Sequence, residues 1–319
     1  MWKTILRRLL IMIPEIIILS VLVFILAKAM PGDPFTGSIN PKADASQIHH
    51  LMRVNGLYDP WYQQYWNWIV HLFHGDLGTS YEYQEPVTTL IAQRGMNTFW
   101  LALFTMILTY VIGLPLGIYA GSHEGKLPDT LVRVYTYITM SIPFFVVLVV
   151  GVWIFGYTLN WFPTSGSIAS NANGLGSTIL SRLQHIILPG LLGALFGTVN
   201  IVQYLRSEVI DAKSSDYVKT ARSKGVSTKN IYQHHIFRNS LLPIAAFAGY
   251  SITGLLGGSI FTEMVFSYPG MGLLFLNAIN YRDYTVITSL VLLYGFLNLL
   301  GTLLSDIILS IVDPRIRVE

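Results

Sequence analysis

Six stretches of this 319-residue chain stay apolar for about the thickness of a bilayer, and that decides the solvent in which it folds. A crossing needs about 20 mostly apolar residues. Residues 9–29, 98–120, 134–157, 186–204, 241–261 and 286–312 meet that length. Only 12% of the chain is charged and 52% is hydrophobic, against about 25% charged in soluble domains. Too little polar surface is present to coat a globule. The expected fold class is therefore an all-α polytopic membrane protein with six transmembrane helices, because spanning segments must satisfy their own backbone hydrogen bonds. Lys3, Arg7 and Arg8 stand before the first run as in a signal peptide. That run is longer than an apolar signal core of about 7–15 residues, and no small-residue cleavage site follows, so it reads as a retained first helix.

The fourth run is the shortest and is interrupted by Pro189, Gly190, Gly193 and Gly197. Small residues let helices approach closely in lipid, which suits a packed interior helix. Pro14, Gly113, Pro115, Gly117 and Pro143 also fall inside runs, where neighbouring helices can satisfy the freed backbone groups. Six crossings put both termini on one side. Fourteen of the 20 Lys and Arg lie at that end, in the N-terminus, the 121–133 connection, the 205–240 connection and the C-terminus. The positive-inside rule makes that end cytoplasmic. The outer segment 31–93 is long and aromatic. Its Trp61, Tyr65, Trp68 and Leu72 recur at helical spacing, predicting an amphipathic helix near the outer membrane face. Residues 86–94 suggest a second short helix entering the next span. Residues 160–184, rich in Gly, Ser and Asn, suggest a flexible loop.

Between two apolar runs lies a basic, polar connection, 216–243, reading DYVKTARSKGVSTKNIYQHHIFRNSLLP. Gly225 suits a helix C-cap or turn, and Ser227 suits the N-cap of a second helix over 228–238. The connection thus reads as helix, tight turn, helix, with the small Ala221 and Gly225 leaving room for a partner. A solvated basic loop drawn to anionic lipid fits the same composition, and the residues alone leave both readings open.

Asp216-Tyr217, Thr220-Ala221-Arg222, Lys224-Gly225 and Arg238-Asn239, closing on Leu242-Pro243, resemble the coupling loop of the peptide branch of type I ABC importer permeases. The broader family pattern is Glu-Ala-Ala, three residues, then Gly. Aligned on Gly225, those positions hold Lys219, Thr220 and Ala221, so the acidic residue is absent. Leu6-Arg7-Arg8-Leu9, Pro31-Gly32-Asp33-Pro34, Gly75-Asp76-Leu77-Gly78-Thr79-Ser80, 113–117 (GLPLG), Ser141-Ile142-Pro143, 266–272 (FSYPGMG), Arg282-Asp283-Tyr284 and Asp313-Pro314-Arg315 are similar to the peptide permease B subunit, in order along the chain. The resemblance implies the type I ABC importer permease fold with an extracytoplasmic segment after the first helix. Its divisions are a first helix (1–30), an outer segment (31–93), a core permease domain (94–306, with the coupling loop at 206–240) and a tail (307–319). It implies a pore-forming subunit importing oligopeptides or dipeptides, with nickel or another small solute as the alternative cargo. Its implied partners are a homologous second permease subunit, two cytoplasmic ATPase subunits and an extracytoplasmic peptide-binding protein, lipid-anchored or periplasmic. The setting is a bacterial cell membrane. ATP and Mg belong to the partner subunits, with no cofactor in this chain. Asp216, Tyr217, Lys219, Thr220, Ala221, Arg222, Lys224 and Gly225 are the implied contacts to the ATPase.

The sequence itself holds no engine. The nearest fragment to a phosphate-binding loop, 121–127 (GSHEGKL), is one residue short and lacks the hydroxyl after Lys126. Energy must come from a partner or an ion gradient. Ionisable residues within the runs, Glu15, Lys28 and Asp306, or just beyond their ends, Arg206 and Glu263, sit toward span ends rather than at the midplane, which disfavours an ion-coupled carrier. The pairs His49-His50 and His234-His235 point about 100° apart on a helix and read as surface histidines. The absence of cysteine excludes disulfides, Cys-ligated zinc and thiol catalysis. No constellation of a membrane enzyme is present. The small net charge of +3 argues against nucleic acid. Ser141, Asn200, Gln203, Ser251, Thr253 and Ser259 are candidate pathway residues, and Tyr268, Pro269 and Gly270 are candidates for an outer gate.

Overall fold

A computed structural model describes residues 2–29, 53 and 58–312. The elements are α1 (Trp2–Ala29), α2 (Trp61–Phe73), α3 (Val87–Ser122), α4 (Leu127–Ser141), α5 (Phe144–Gly151), α6 (Leu175–Ser214), α7 (Asp216–Ser223), α8 (Thr228–Asn230), α9 (Phe237–Ser240), α10 (Leu242–Thr253), α11 (Ile260–Val265), α12 (Met271–Tyr281) and α13 (Tyr284–Val312). Short π-helical stretches, Val152–Thr158 and Ile231–Ile236, continue α5 and join α8 to α9. Five segments are long and apolar enough to cross a membrane: Ile5–Ala29, Val87–Ser122, Leu175–Ser214, Leu242–Val265 and Tyr284–Val312.

The sixth crossing is a bent pair. The run 134–157 is not one helix, because α4 and the α5 segment meet at 94°. The cause is Pro143. A residue before proline is pushed out of the α region, and Ile142 is accordingly extended, at φ −100 and ψ 126. The pair still traverses the bundle. Asp129, near its start, bonds Arg206 close to the basic end of α6. Beyond its other end, the Gly166 N–H donates to Phe266 O at 3.0 Å, on the turn after α11.

Two other boundaries differ from the sequence reading. Residues 86–94 form no separate helix, since Pro86 takes the N-cap place of an unbroken α3 of 36 residues. The segment expected to be flexible up to 184 is helical from Leu175, because the fourth run is the core of a 40-residue helix. At 1.5 Å per residue α6 is about 60 Å long, so it projects well past the hydrocarbon. The run that reads weakest in isolation is the most buried of the candidate spans. Its glycines explain why.

α3 and α6 run parallel in a constant register of 88 residues. A Cβ added to Gly113 would meet Ile201 at 3.2 Å, one on Gly117 would meet Leu205 at 2.9 Å, and one on Gly121 would meet Val209 at 2.7 Å. Further along, the roles reverse. Gly193 and Gly197 of α6 lie against Thr105 and Thr109 of α3, at 3.1 and 2.8 Å from such a Cβ. Each level of the interface therefore sets a small residue against a larger one, the arrangement by which helices associate in lipid. α10 and α13 form a second close pair, with the backbone of Gly249 against Gly301 and Ser305. α1 joins α13 through Leu19 on Gly295 and an Arg8–Asp306 ion pair at 2.5 Å.

The expected outer helix is α2. Tyr65 and Trp68 pack on Phe24 of α1, ring centroids 5.3 and 6.1 Å away, and Ser20 shares a 2.8 Å hydrogen bond with the Tyr65 hydroxyl. Trp61, expected on the same face, is instead exposed. The following turn is docked on the far end of the bundle. Ser80 Oγ donates to buried Asp283 at 2.5 Å, the Glu82 N–H donates to the same oxygen, and Asp283 Oδ1 accepts the Val286 N–H as the N-cap of α13. Two motifs 200 residues apart in sequence thus meet. Within the turn, the Gly78 N–H holds the Asp76 carboxyl below the usual carboxylate range.

Candidate functional site

The connection between α6 and α10 makes a short, polar helix standing on an apolar base. α6 ends where Ser215 turns extended, at φ −68 and ψ 151, and α7 restarts at once. α7 is amphipathic over eight residues. Val218 and Ala221 face inward and join Leu205, Val209, Ile231 and Ile236 in one buried cluster. Asp216, Tyr217, Lys219, Thr220, Arg222 and Lys224 face solvent. Ala221 therefore belongs to the buried base of α7. Its small size lets α7 lie close on α6.

The turn after α7 is a complete Schellman motif. The Gly225 N–H donates to Arg222 O at 2.9 Å and the Val226 N–H donates to Ala221 O at 3.2 Å. Gly225 takes φ +76, a conformation that costs an L-residue about 1–2 kcal/mol. Val226 then packs on the same apolar cluster. Ser227 holds the N-cap position of α8 at φ −59 and ψ 145, but its side chain makes no capping hydrogen bond. Helix, tight turn, helix is what forms, with the second helix passing through a π stretch.

A charged network that sequence reasoning missed ties this base to the neighbouring helices. Asp129, at the third position of α4, is fully buried. Arg206 of α6 donates to both its oxygens, Nε to Oδ1 at 2.5 Å and a terminal nitrogen to Oδ2 at 2.9 Å. The Gly125 N–H donates to Oδ2 at 2.9 Å. Lys213 Nζ donates to Gly121 O and Glu124. The available signal was an acid placed just after a basic Gly-Lys-Leu-Pro turn, opposite the arginine expected at the end of the fourth run.

A cavity of about 740 Å³ opens between α3, α6, α10 and α11. It is mostly apolar, lined by residues such as Leu101, Phe196, Ile201 and Phe247, with Tyr110 among its polar groups. Of the six candidate pathway residues, Asn200, Ser251 and Ser259 line it, and Ser251 shares a 3.0 Å hydrogen bond with Tyr110. The other three lie elsewhere. Ser141 bonds back to Tyr137 O at the Pro143 corner, Gln203 reaches Met140, and Thr253 bonds its own helix at Gly249 and Tyr250.

The candidate gate residues are locked into the far end of the bundle. Tyr268 is fully buried and donates to Asn97 O at 3.0 Å, while Asn97 donates to Pro269 O at 2.9 Å. Beneath them sits buried Glu263, which accepts from Thr98 Oγ1, the Ser259 N–H and the Leu273 N–H. A Cβ on Gly270 would run into that carboxylate, and one on Gly258 or Gly272 would crowd it. The glycines of FSYPGMG, Gly270 and Gly272, thus make room for an acid seven and nine residues upstream. That acid was read in sequence only as a span-end residue. Pro31-Gly32-Asp33-Pro34, His49-His50 and Asp313-Pro314-Arg315 lie outside the described residues, as do the side chains of His234, His235 and Arg238.

Up to six crossings among the described residues, a solvent-facing helix rooted in the bundle at one end and a cavity walled by α3, α6, α10 and α11 define a polytopic transport subunit. Residues 113–318 match the family described as the binding-protein-dependent transport system inner membrane component, and residues 1–102 match its N-terminal counterpart. The chain belongs to this family. It is the pore-forming permease subunit of an ABC importer, a multi-pass inner membrane protein and not itself an enzyme. It is 34% identical over 314 residues to the oligopeptide transport system permease protein AppB of Bacillus subtilis (strain 168), covering 98% of each chain. It is 36% identical over 318 residues to the glutathione transport system permease protein GsiC of Salmonella typhimurium (strain LT2), and 35% identical to that of Escherichia coli (strain K12), covering 99% of each. Among solved structures, the MetNI methionine ABC transporter in inward facing conformations aligns with a TM-score of 0.52 and 17% identity, over 70% of this chain and 96% of that one. That likeness concerns the fold alone.

Proposed function

We propose that this subunit imports short peptides and is driven from its basic end, through α7, by cytoplasmic ATPase subunits. The observation that carries the reading is α7 itself. Its apolar side is sunk in the bundle, its polar side is free, and its end is fixed by a Schellman turn. A helix held this way transmits displacement instead of absorbing it. In free-energy terms, ATP binding between the motor subunits drives transport only by contacting α7 differently in the two helix arrangements. The basic end then faces the cytoplasm, in keeping with the positive-inside rule. A second homologous permease subunit and an extracytoplasmic binding protein complete the assembly, and ATP and Mg sit in the motor subunits.

Peptide cargo is supported by the relatives, whose names specify oligopeptides and glutathione, the latter a tripeptide. The cavity suits that class. Its volume lies in the range of small-ligand sites. Its wall is apolar with a few side-chain hydroxyl and amide groups, which tolerates varied side chains.

The test is a photo-crosslinking residue at Tyr217, which is 40% exposed, in cells expressing the whole transporter. Capture of an ATPase subunit, identified by mass spectrometry, is expected. Capture of lipid alone, or labelling of a cysteine at Ser227 by an impermeant reagent in intact cells, overturns the reading.

A further inference from the structure

Asp129 lies outside α7, outside the cavity and outside every motif of the sequence reading, yet it is the most completely enclosed acid at the basic end. We infer that Asp129 is a positioning residue of the transport cycle. It joins α4 rigidly to α6, so that displacement of α7 swings the bent crossing.

The route follows from which faces touch. Leu205 and Val209 of α6 pack on Val218 and Ala221 of α7. Arg206 leaves the same turn of α6 about 100° around the helix and grips Asp129 with two nitrogens. A push on α7 therefore enters α6 on one face and exits on another within a single turn. Other α4–α6 contacts are of a different kind. Val132 and Val202 share a small apolar cluster, and Tyr135 bonds Leu195 O and Thr198 farther along. The Val132–Val202 contact is non-directional, and the Tyr135 bonds are uncharged ones made by a single hydroxyl. A bidentate guanidinium–carboxylate pair fixes both distance and angle.

The joint is braced on its α4 side. Asp129 Oδ2 also accepts the Gly125 N–H, so the turn before α4 moves with the carboxylate. Arg133, one turn on, stands 3.6 Å from the same oxygen. From Asp129, α4 runs straight to the extended Ile142 and Pro143, where the chain turns by 94° into the α5 segment. A rigid arm ending in a sharp corner converts motion at one end into rotation beyond the corner. α5 brings Phe144 to the cavity wall, so the rotation reaches the pathway.

This inference rests on α7 being the docking helix, and the experiment separates the two. The chain has no cysteine, so nitroxides placed at Leu127→Cys, at the start of α4, and Ser223→Cys, at the end of α7, are unique. Both positions are exposed. In the assembled transporter, the mobility of the label at 223 with and without the ATPase subunits tests docking alone. The distance between the labels, with and without ATP on hydrolysis-deficient ATPases, tests the joint.

The wild-type joint is expected to hold that distance constant between the two states. Asp129→Asn and Arg206→Lys, which keep size or charge but lose the bidentate bond, are expected to let it shift when ATP binds. The double variant should add nothing to either single one, since both remove the same bond. A distance that already shifts in the wild type, or stays constant in both variants, overturns the inference. An unchanged label mobility overturns the docking reading instead. A purely structural role for Asp129 would lower the yield of assembled complex without making the distance depend on ATP.

Discussion

Gly225 offers a way to separate the shape of the proposed docking surface from the stability of the turn beneath it. Its φ of +76 is required by the Schellman motif, so an L-residue there, Asn and Asp apart, carries backbone strain of about 1–2 kcal/mol. Its Cβ direction is empty, with nothing within 4 Å, so a side chain meets no clash inside the protein and points outward, beside the exposed face of α7. The two contributions therefore divide cleanly between substitutions. Gly225→Asn places in the turn a residue that tolerates the left-handed region, and should leave thermal stability and ATPase association near wild type. Gly225→Ala adds about 1 kcal/mol of strain with almost no bulk. The turn loses some stability, but the ATPases should still co-purify. Gly225→Trp carries strain of the same order and adds a large ring on the outer surface. It should match Ala in membrane insertion and thermal stability while losing the ATPases. The assay is the ratio of ATPase to permease after affinity purification of the whole transporter, beside the melting temperature of the purified permease. Normal association of the Trp variant refutes the placement of the docking surface. Equal loss of association in Ala and Trp refutes the separation, because turn geometry would then be what the partner senses.

Three further perturbations test other parts of the structure. Glu263→Ala leaves the buried Thr98 hydroxyl and the part-buried Ser259 and Leu273 N–H groups without their acceptor; at about 1–3 kcal/mol for a buried donor, it should cost about 1–3 kcal/mol or more, read as early thermal inactivation of the purified transporter, with Glu263→Gln intermediate. Gly117→Leu drives a side chain into Leu205 and the Val202 carbonyl, an overpacking worth about 1–3 kcal/mol or more, and should part α3 from α6, measured as protease sensitivity of the α6–α7 connection in membranes. Asp283→Ala removes the acceptor of Ser80 and Glu82 and the N-cap of α13. It should release the 75–86 turn, seen as faster cleavage there by protease added to the purified transporter, at a helix-cap cost of about 1 kcal/mol.

What the sequence disclosed and what it hid divide along a physical line. Features set by a residue's own neighbourhood were readable. The apolar runs, the Gly225 turn and α2 follow from local length, backbone freedom and periodicity. The 94° corner was half readable, since Pro143 was noted but taken as a tolerated interruption. Proline acts on the residue before it, and Ile142 is accordingly extended. Features made by partners distant in sequence were not readable from composition. Asp129 meets Arg206, Ser80 meets Asp283, and Glu263 meets Thr98 across 165 residues. The same blindness misjudged α6. Its glycines lower apparent hydropathy, yet they are what lets it lie on α3. Ala221, too, was assigned to the surface because smallness suits a docking face as well as a buried one.

Tight packing also restricts which parts of the molecule can move. The α3–α6 interface keeps a fixed 88-residue register over five successive levels, each setting a small residue against a larger one. To slide by one level, Gly117 would have to exchange Leu205 for Ile201 or Val209, and every other level would have to re-form at once. Packed interfaces of this kind are bistable at best and resist continuous deformation. α10 and α13 are similarly bound, backbone to backbone at Gly249 and Gly301. The cavity is walled by α3 and α6 on one side and by α10 and α11 on the other. The cheapest motion that opens it to one side and then the other keeps each pair intact and bends the chain where helices are already broken. Outside the α7–α6–α4 arm, that place is the Gly254–Gly258 break between α10 and α11, where Gly258 sits at φ +75. Cross-linking α3 to α6 along their register should therefore leave transport intact, while a cross-link from α6 to α10 across the cavity should abolish it. If the α3–α6 cross-link also stops transport, the register shifts during the cycle and the pairs are not the moving units.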